Sequence, residues 1–377
     1  KLLIWTPMPN HHHTAFHQAL LKKGVDLHVC YFTGVTKHRI QMGWTPEPHL
    51  EVWEHDISSM EEAFADVSDW RERIHFVPGC GGGLRGSLFL RSLIRKLCEC
   101  RVNWVHWSER GGPGIHWLLS YPKYRWYAQL INRYALGAFG QGELALRDFQ
   151  LWGIRTERTA ILTYSPQPFR ADVSPDKTCI SFRGCANAFL YLGSLCNRKG
   201  IDILIKAFAS ACGAEDHWVL LLVGKDYSSG EYCRLANRLG VRENILFRGV
   251  ITAGEISSAL LCGDVLVLPS RHDGWGTTLN EGASAGLPLI ASDAVGAAYH
   301  LIEPSLNGFR VTGGSVASLA SAMSTYIKMP DLCKTHGQHS RRVYSHYSPE
   351  RNAERAVLTL HSWLVMDKSS RSGVRED

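Results

Sequence analysis

Two carboxylates, Asp273 and Glu281, stand eight positions apart in the stretch DVLVLPSRHDGWGTTLNEGASAGLPLIASD, residues 264–293. The apolar run Val265–Leu268, closed by Pro269 and Ser270, reads as a buried strand. A loop with two glycines follows, Arg271–Gly276, and then a helix start at Thr277 and Thr278. The helix stops at Gly286 and Pro288, and a second apolar run, Leu289–Ala291, begins at once. Strand, loop, helix and strand in this order make one βαβ unit of a parallel sheet. In such units ligands bind beyond the carboxyl ends of the strands. The glycines allow close backbone approach, and the N–H groups at the helix start suit a phosphate. Asp273 and Glu281 would then bracket the phosphate seat. A plainer reading stands beside this one. Thr278-Leu-Asn-Glu281 also fits a capping box, in which Glu281 only bonds back to the helix start, and Asp before Gly is common in turns.

The chain has 377 residues, which predicts two domains. Its 45% apolar and 20% charged content is that of a globular protein. A net charge of +6 suits anionic ligands such as nucleotides, or an anionic membrane surface, and is too small to argue for nucleic acid. No apolar run approaches the ~20 residues that cross a bilayer. The first residues read as a strand and not as a signal peptide. Eleven cysteines without a CxxC pair suggest free thiols in a reducing cytoplasm.

In chain order, strand Leu2–Trp5 leads into the loop Thr6–Thr14, which holds His11, His12 and His13. Successive positions cannot all ligate one metal, so these histidines are expected to contact substrate or solvent. A helix through Phe16–Leu21 and strand Asp26–Phe32 follow. Residues 33–70 read as irregular, and strand Ile74–Val77 precedes a flexible glycine loop, Gly79–Gly86. Leu88–Leu97 is a basic amphipathic helix with Arg91, Arg95 and Lys96. Preceded by Arg85, it suits an anionic membrane surface through residues 85–97, or a half-buried helix with solvated arginines.

Strand Asn103–Trp107 carries Ser108, Glu109 and Arg110 at its carboxyl end. Helices at Tyr124–Leu136 and Glu143–Trp152 precede a last strand, Ile161–Tyr164. Residues 1–165 are thus expected to form one α/β domain, 166–187 a linker, and 188–348 a second α/β domain. The second domain alternates strands at Phe189–Gly193, Trp218–Val223 and Ile245–Phe247 with helices at Gly200–Ala211, Gly230–Leu239 and Ala253–Cys262. After the opening stretch come helix Gly296–Ile302, strand Gly308–Val311 and a helix at Val316–Met329. A final helix over about Pro349–Val365 (349–366 at its widest) is followed by a polar, frayed tail.

Leu192-Gly-Ser, Arg198-Lys-Gly200, Val223-Gly224, Phe247-Arg-Gly249-Val, the Asp264–Ser270 strand, Asp273-Gly-Trp-Gly with Glu281-Gly-Ala-Ser-Ala-Gly-Leu-Pro288, and Asn307-Gly-Phe309 occur in one order. The series resembles the nucleotide-sugar domain of the retaining GT-B glycosyltransferases of family 4, over about residues 188–345. The resemblance implies two Rossmann-like domains facing each other across a cleft, with the last helix crossing back to brace the first. Lys199, with Arg198, would bind the donor diphosphate. Gly193, Ser194, Gly224, Gly274 and Trp275 would line the donor site, and Gly276, Thr277 and Thr278 would meet the diphosphate. Glu281 would bond the ribose hydroxyls, and Asp273 the transferred sugar. Arg248, Val250 and Ile251 would pair with the base through their backbone. His106 best matches the family's cleft histidine, although a lone strand histidine is more often core. His11, His12, His13 and Glu109 are candidates for contacting the acceptor. Two departures stand out: Asp273 replaces a usual glutamate, and Ser194 a frequent arginine.

The implied reaction moves a hexose-type sugar from a nucleoside-diphosphate sugar to a hydroxyl of a glycan or lipid-linked acceptor. It proceeds with retention, without metal or other cofactor, at the cytoplasmic membrane face or in the cytoplasm. A nucleotide-sugar epimerase and a catalytically silent nucleotide-sugar-binding protein remain as alternatives. A dinucleotide oxidoreductase would want G-x-G-x-x-G after the first strand, where no glycine occurs.

Overall fold

The computed structural model describes residues 1–45, 49–79, 83–111, 115–213 and 216–372. The chain forms two compact units. One comprises Lys1–Thr36, Thr45–Tyr164 and Pro349–Asp377; the other comprises Lys37–Trp44 and Ser165–Ser348.

The first unit is built on seven parallel strands: β1 Leu2–Thr6, β2 Leu27–Tyr31, β3 Glu54–Asp56, β4 Ile74–Pro78, β5 Trp104–Ser108, β6 Gly137–Gly140 and β7 Thr159–Ile161. Their order is 3-2-1-4-5-6-7, so the direction of winding reverses between β1 and β4. Right-handed crossovers on either side of a reversal place helices on opposite faces of the sheet. One face buries Trp5, Leu93, Trp104, Ile131 and Phe149. The other buries Ile4, Phe16, Leu20 and Phe139 together with Ala353, Ala356, Leu360 and Trp363 of the last helix. That helix packs on His11–Lys22. Asn352 Nδ2 donates to Thr163 Oγ1 (2.8 Å), which fixes the helix at its entry.

The second unit has six parallel strands: β8 Asn187–Leu192, β9 Trp218–Val223, β10 Ile245–Gly249, β11 Val265–Leu268, β12 Leu289–Ser292 and β13 Gly308–Val311. The order 10-9-8-11-12-13 reverses between β8 and β11. All of β9, β11 and β12 is buried, as a sheet covered on both faces requires.

Several expected boundaries are corrected. The three histidines do not lie in a loop. Helix His11–Lys22 starts at His11 because Asn10 Oδ1 accepts the His12 N–H at 3.0 Å, and Asn is a strong N-cap. Residues 33–70 are not irregular throughout. They hold a helical turn, Lys37–Ile40, then β3 and the helix Met60–Asp66, which Ser59 caps. Of the glycine loop expected at 79–86, residues 80–82 lie outside the described residues. Gly83–Gly86 form the first turn of helix Gly83–Glu99, where the downstream packing of Leu90, Leu93 and Leu97 outweighs glycine's poor propensity.

The next helix runs Ile115–Tyr134, well ahead of its expected start. The last strand of the first sheet ends at Ile161, where Tyr164 was expected. The segment read as a linker holds the helix Lys177–Arg183, capped by Asp176. Helix Leu332–Tyr344 went unread, and the final helix continues past Val365 to Ser372.

Candidate active site

In the second sheet the loops that leave β8 and β11 start on neighbouring strands at the point of reversal, the place where ligands bind in such sheets. Gly193 and Gly224 directly follow β8 and β9. A Cβ on Gly224 would collide with the Gly193 carbonyl, so the two loops approach more closely than any side chain permits. Gly200 has φ +72° and lies against the Pro269 carbonyl, which draws the β8 loop onto the β11 loop. Ser194 holds the loop from within, its carbonyl accepting the Tyr191 hydroxyl at 2.9 Å.

These approaches bring Lys199 and Asp273 together. Lys199 Nζ lies 2.5 Å from Asp273 Oδ2, and Arg198 Nη1 lies 3.9 Å from Oδ1. Arg198 also donates to the His272 carbonyl at 3.0 Å. Asp273 is buried, while Arg198 keeps about half its side chain in solvent at 51%. The Asp273 N–H donates to the Ala294 carbonyl (3.1 Å), and its carbonyl accepts from Gly296 (3.3 Å). The Asp273 backbone is thus fixed by its neighbours, and its carboxylate meets the Lys199 ammonium. Expected to serve sugar and diphosphate separately, the two side chains form one ion pair. An ammonium has three N–H donors, so Lys199 can hold Asp273 and a phosphate oxygen together.

Gly274, Trp275 and Gly276 form the rest of the β11 loop. The Trp275 indole, assigned to the donor from sequence, is 1% exposed and donates to Asn280 Oδ1 at 2.8 Å. This is a correction: its side chain is a buried wedge, and only its backbone borders the site. Helix Thr278–Ala285 follows, with Thr277 as its N-cap residue. Thr278 lies inside the helix and its hydroxyl donates to the Leu192 carbonyl (3.4 Å), so the capping box read from sequence does not form around it. The Leu279 and Asn280 N–H groups turn back to the Gly276 and Thr277 carbonyls (2.9 Å each), and a phosphate can accept the N–H groups just ahead of them. Glu281 sits in the first turn, 7% exposed, and burial pushes its carboxyl up to about 8. At neutral pH such a group is mostly a neutral acid, able both to donate to and to accept from a sugar hydroxyl.

The segment after β10 is partly committed elsewhere. Arg248 Nη2 pairs with Asp176 at 2.9 Å, so its guanidinium is a structural tie and only its backbone faces onward. Val250 is exposed, and Ile251 lies against Gly43 of the Lys37–Trp44 segment. Lys225 Nζ reaches Gln41 Oε1 at 2.7 Å in the same contact. Sequence reasoning missed Arg271, Asp202, Asn280 and Asp176. An Arg directly before the His-Asp-Gly turn was the available signal for Arg271.

In the first unit, His106 is a core residue. It is 1% exposed, with Nε2 2.9 Å from Ser108 Oγ and Nδ1 3.2 Å from the Tyr127 hydroxyl. Burial among Tyr127 and Phe149 lowers its pKa to about 3. This corrects the expectation of a cleft histidine. Glu109 follows β5, half-buried. His11, His12 and His13 form the first turn of their helix. His13 packs between His17, Trp107 and Tyr164, where burial and then His11 hold it at about 3.

Each unit is thus a doubly wound parallel sheet, and at the switch point of the second a basic group and a carboxylate are joined. The structure aligns over 96% of its length with 100% of Anabaena Alr3699/HepE, solved in complex with UDP, at TM-score 0.74 and 19% identity. Residues 181–343 match the model of glycosyl transferases group 1. The chain is 26% identical to the putative glycosyltransferase EpsD of Bacillus subtilis over 70% of its own length and 69% of EpsD. It is 28% identical to the lipopolysaccharide core biosynthesis mannosyltransferase LpcC of Rhizobium leguminosarum, over 47% of the chain and 51% of LpcC. The chain is therefore a glycosyltransferase with the GT-B fold, and its residues 181–343 are similar to glycosyl transferases group 1.

Proposed function

We propose that this glycosyltransferase moves a hexose-type sugar from a nucleoside-diphosphate sugar to a hydroxyl of a glycan or lipid-linked acceptor, with retention and without a metal ion. The observation that carries the reading is the Lys199–Asp273 contact beside the start of helix Thr278–Ala285. As the sugar leaves, negative charge grows on the β-phosphate. Lys199, Arg198 and the helix N–H groups supply fixed positive potential there. Asp273 holds Lys199 in place and faces the hydroxyls of the transferred sugar. Glu281, kept neutral by burial, meets the ribose hydroxyls. Attack comes from the face the diphosphate leaves, with the phosphate taking the acceptor's proton.

The name of LpcC favours a surface or lipid-linked glycan as acceptor. Arg85, Arg91 and Arg95 lie exposed on helix Gly83–Glu99 with Leu88, while Leu90, Leu93 and Leu97 face the core. That face fits peripheral contact with an anionic membrane. Among the described residues no helix is long and apolar enough to cross one.

The test is a thermal-shift panel of UDP, GDP, ADP and dTDP with their common sugars. A ligand at a hundred times its dissociation constant stabilises by ~2.7 kcal/mol. A shift with one base, lost in Glu281→Ala, supports the reading; no shift with any overturns it. Proton NMR of the product tests retention, and undiminished turnover in EDTA tests the absence of a metal requirement. Binding to anionic vesicles should vanish when Arg91, Arg95 and Lys96 all become Glu.

A further inference from the structure

The Lys199–Asp273 contact joins two loops of different strands, and neither side chain fixes the other loop's backbone. That task falls to Arg271, which belongs to the β11 loop and reaches across to the β8 loop. Its backbone N–H donates to the Arg198 carbonyl at 2.8 Å. Its Nη1 donates to the Asn197 carbonyl at 2.6 Å. Nη1 and Nη2 grip Asp202 bidentately at 2.7 and 2.8 Å. Asp202 lies in the first turn of helix Ile201–Ala211, directly after the Asn197–Lys199 turn. Arg198 answers from the other side through its bond to the His272 carbonyl.

Arg271 therefore holds the turn that carries Lys199 at both of its ends: at the Asn197 and Arg198 carbonyls, and at the helix into which the turn runs. A planar guanidinium suits this task because its fork matches a carboxylate while leaving a donor for a carbonyl. A lysine would offer only a point charge. An isolated surface ion pair contributes little, but this one is a bracket around two active-site loops.

Resting on the reading of Lys199 as the diphosphate's partner, we propose that Arg271 is a positioning residue that sets the Lys199 ammonium against the leaving diphosphate through Asp202 and the Asn197 carbonyl. It touches no substrate. Its removal loosens Lys199 relative to Asp273 and the helix start, and weakens the hold on phosphate while leaving the hold on the nucleoside intact.

The experiment measures calorimetric dissociation constants of UDP and GDP against those of uridine and guanosine, on the whole chain. The variants are Arg271→Met, Arg271→Lys, Lys199→Ala and the double Arg271→Met/Lys199→Ala, with melting temperature followed throughout. Arg271→Met should weaken the bound diphosphate about tenfold and change the nucleoside less than about twofold, and Arg271→Lys should recover only part of the loss. In the Lys199→Ala background, Arg271→Met should cost nothing further, since the two act through one contact. Additive losses in the double variant would overturn the proposal. So would equal weakening of nucleoside and diphosphate, or a lowered melting temperature with unchanged binding. Wild-type protein that binds neither UDP nor GDP would overturn the functional reading, and this proposal with it.

Discussion

The second sheet reverses between β8 and β11, and the loops leaving those strands meet through Lys199 and Asp273. The first sheet reverses between β1 and β4, and the loop leaving β1 runs into a helix that opens with His11, His12 and His13. Both are switch points of parallel sheets, yet they gather different chemistry. The second brings together a lysine, an arginine and an aspartate, plus one carboxyl that burial keeps neutral. The first packs aromatic rings around His13 and His17, and burial keeps both histidines neutral. A shared topology supplies the crevice; the side chains decide whether it holds an anion or offers an uncharged surface.

Substitutions sharpen that contrast. The largest effect should come from Lys199→Ala or Asp273→Asn, each lowering kcat/KM for nucleotide-sugar turnover by about 100-fold or more. Steady-state rates on folded variants check it, and near-normal turnover would erase the distinction between the two switch points. Trp275→Ala should cost ~3–5 kcal/mol of stability, because the indole is buried and Asn280 loses its donor. Chemical denaturation measures this.

His106→Leu should cost about 1–3 kcal/mol through unpaired Ser108 and Tyr127 hydroxyls, with kcat unchanged. A large loss of kcat at full stability would return His106 to the reaction. For Glu281 the folded pKa is raised, from 4.5 to about 8. The folded state therefore holds its proton longer than the unfolded chain, and stability falls as pH rises from about 4.5 to about 8. Glu281→Gln should flatten that decline, so its melting temperature should gain on the wild type more at pH 8.5 than at pH 5. The smallest effect is expected from changing Arg91 and Arg95 to Glu, within about 0.5 kcal/mol in stability, since both are exposed.

What the sequence made legible follows from the same contrast. The β11 loop announced itself because glycines, an apolar strand and a helix stop lie within one short stretch, all of them local signals. The parallel α/β architecture came from the alternation of such stretches. The pairing of Lys199 with Asp273 was not legible, because it joins positions far apart through a close approach at Gly200. Trp275 misled because an aromatic beside a glycine loop reads the same whether it points outward or into the core. His106 misled because strand position alone does not tell which face a side chain takes. Helix Leu332–Tyr344 was missed because its buried side includes His336, Gly337 and Ser340, which carry no apolar stripe.

The first unit's second core layer includes Ala353, Ala356, Leu360 and Trp363, and Trp363 packs across Gly137 and Phe139. These residues emerge from the ribosome after the whole of the second unit. During synthesis, then, the first unit waits with one face of its sheet only partly covered while the later unit can already complete its own core. A chain stopped short of the last helix would leave Phe139 and its neighbours open to water, and would be expected to aggregate through the half that was made first.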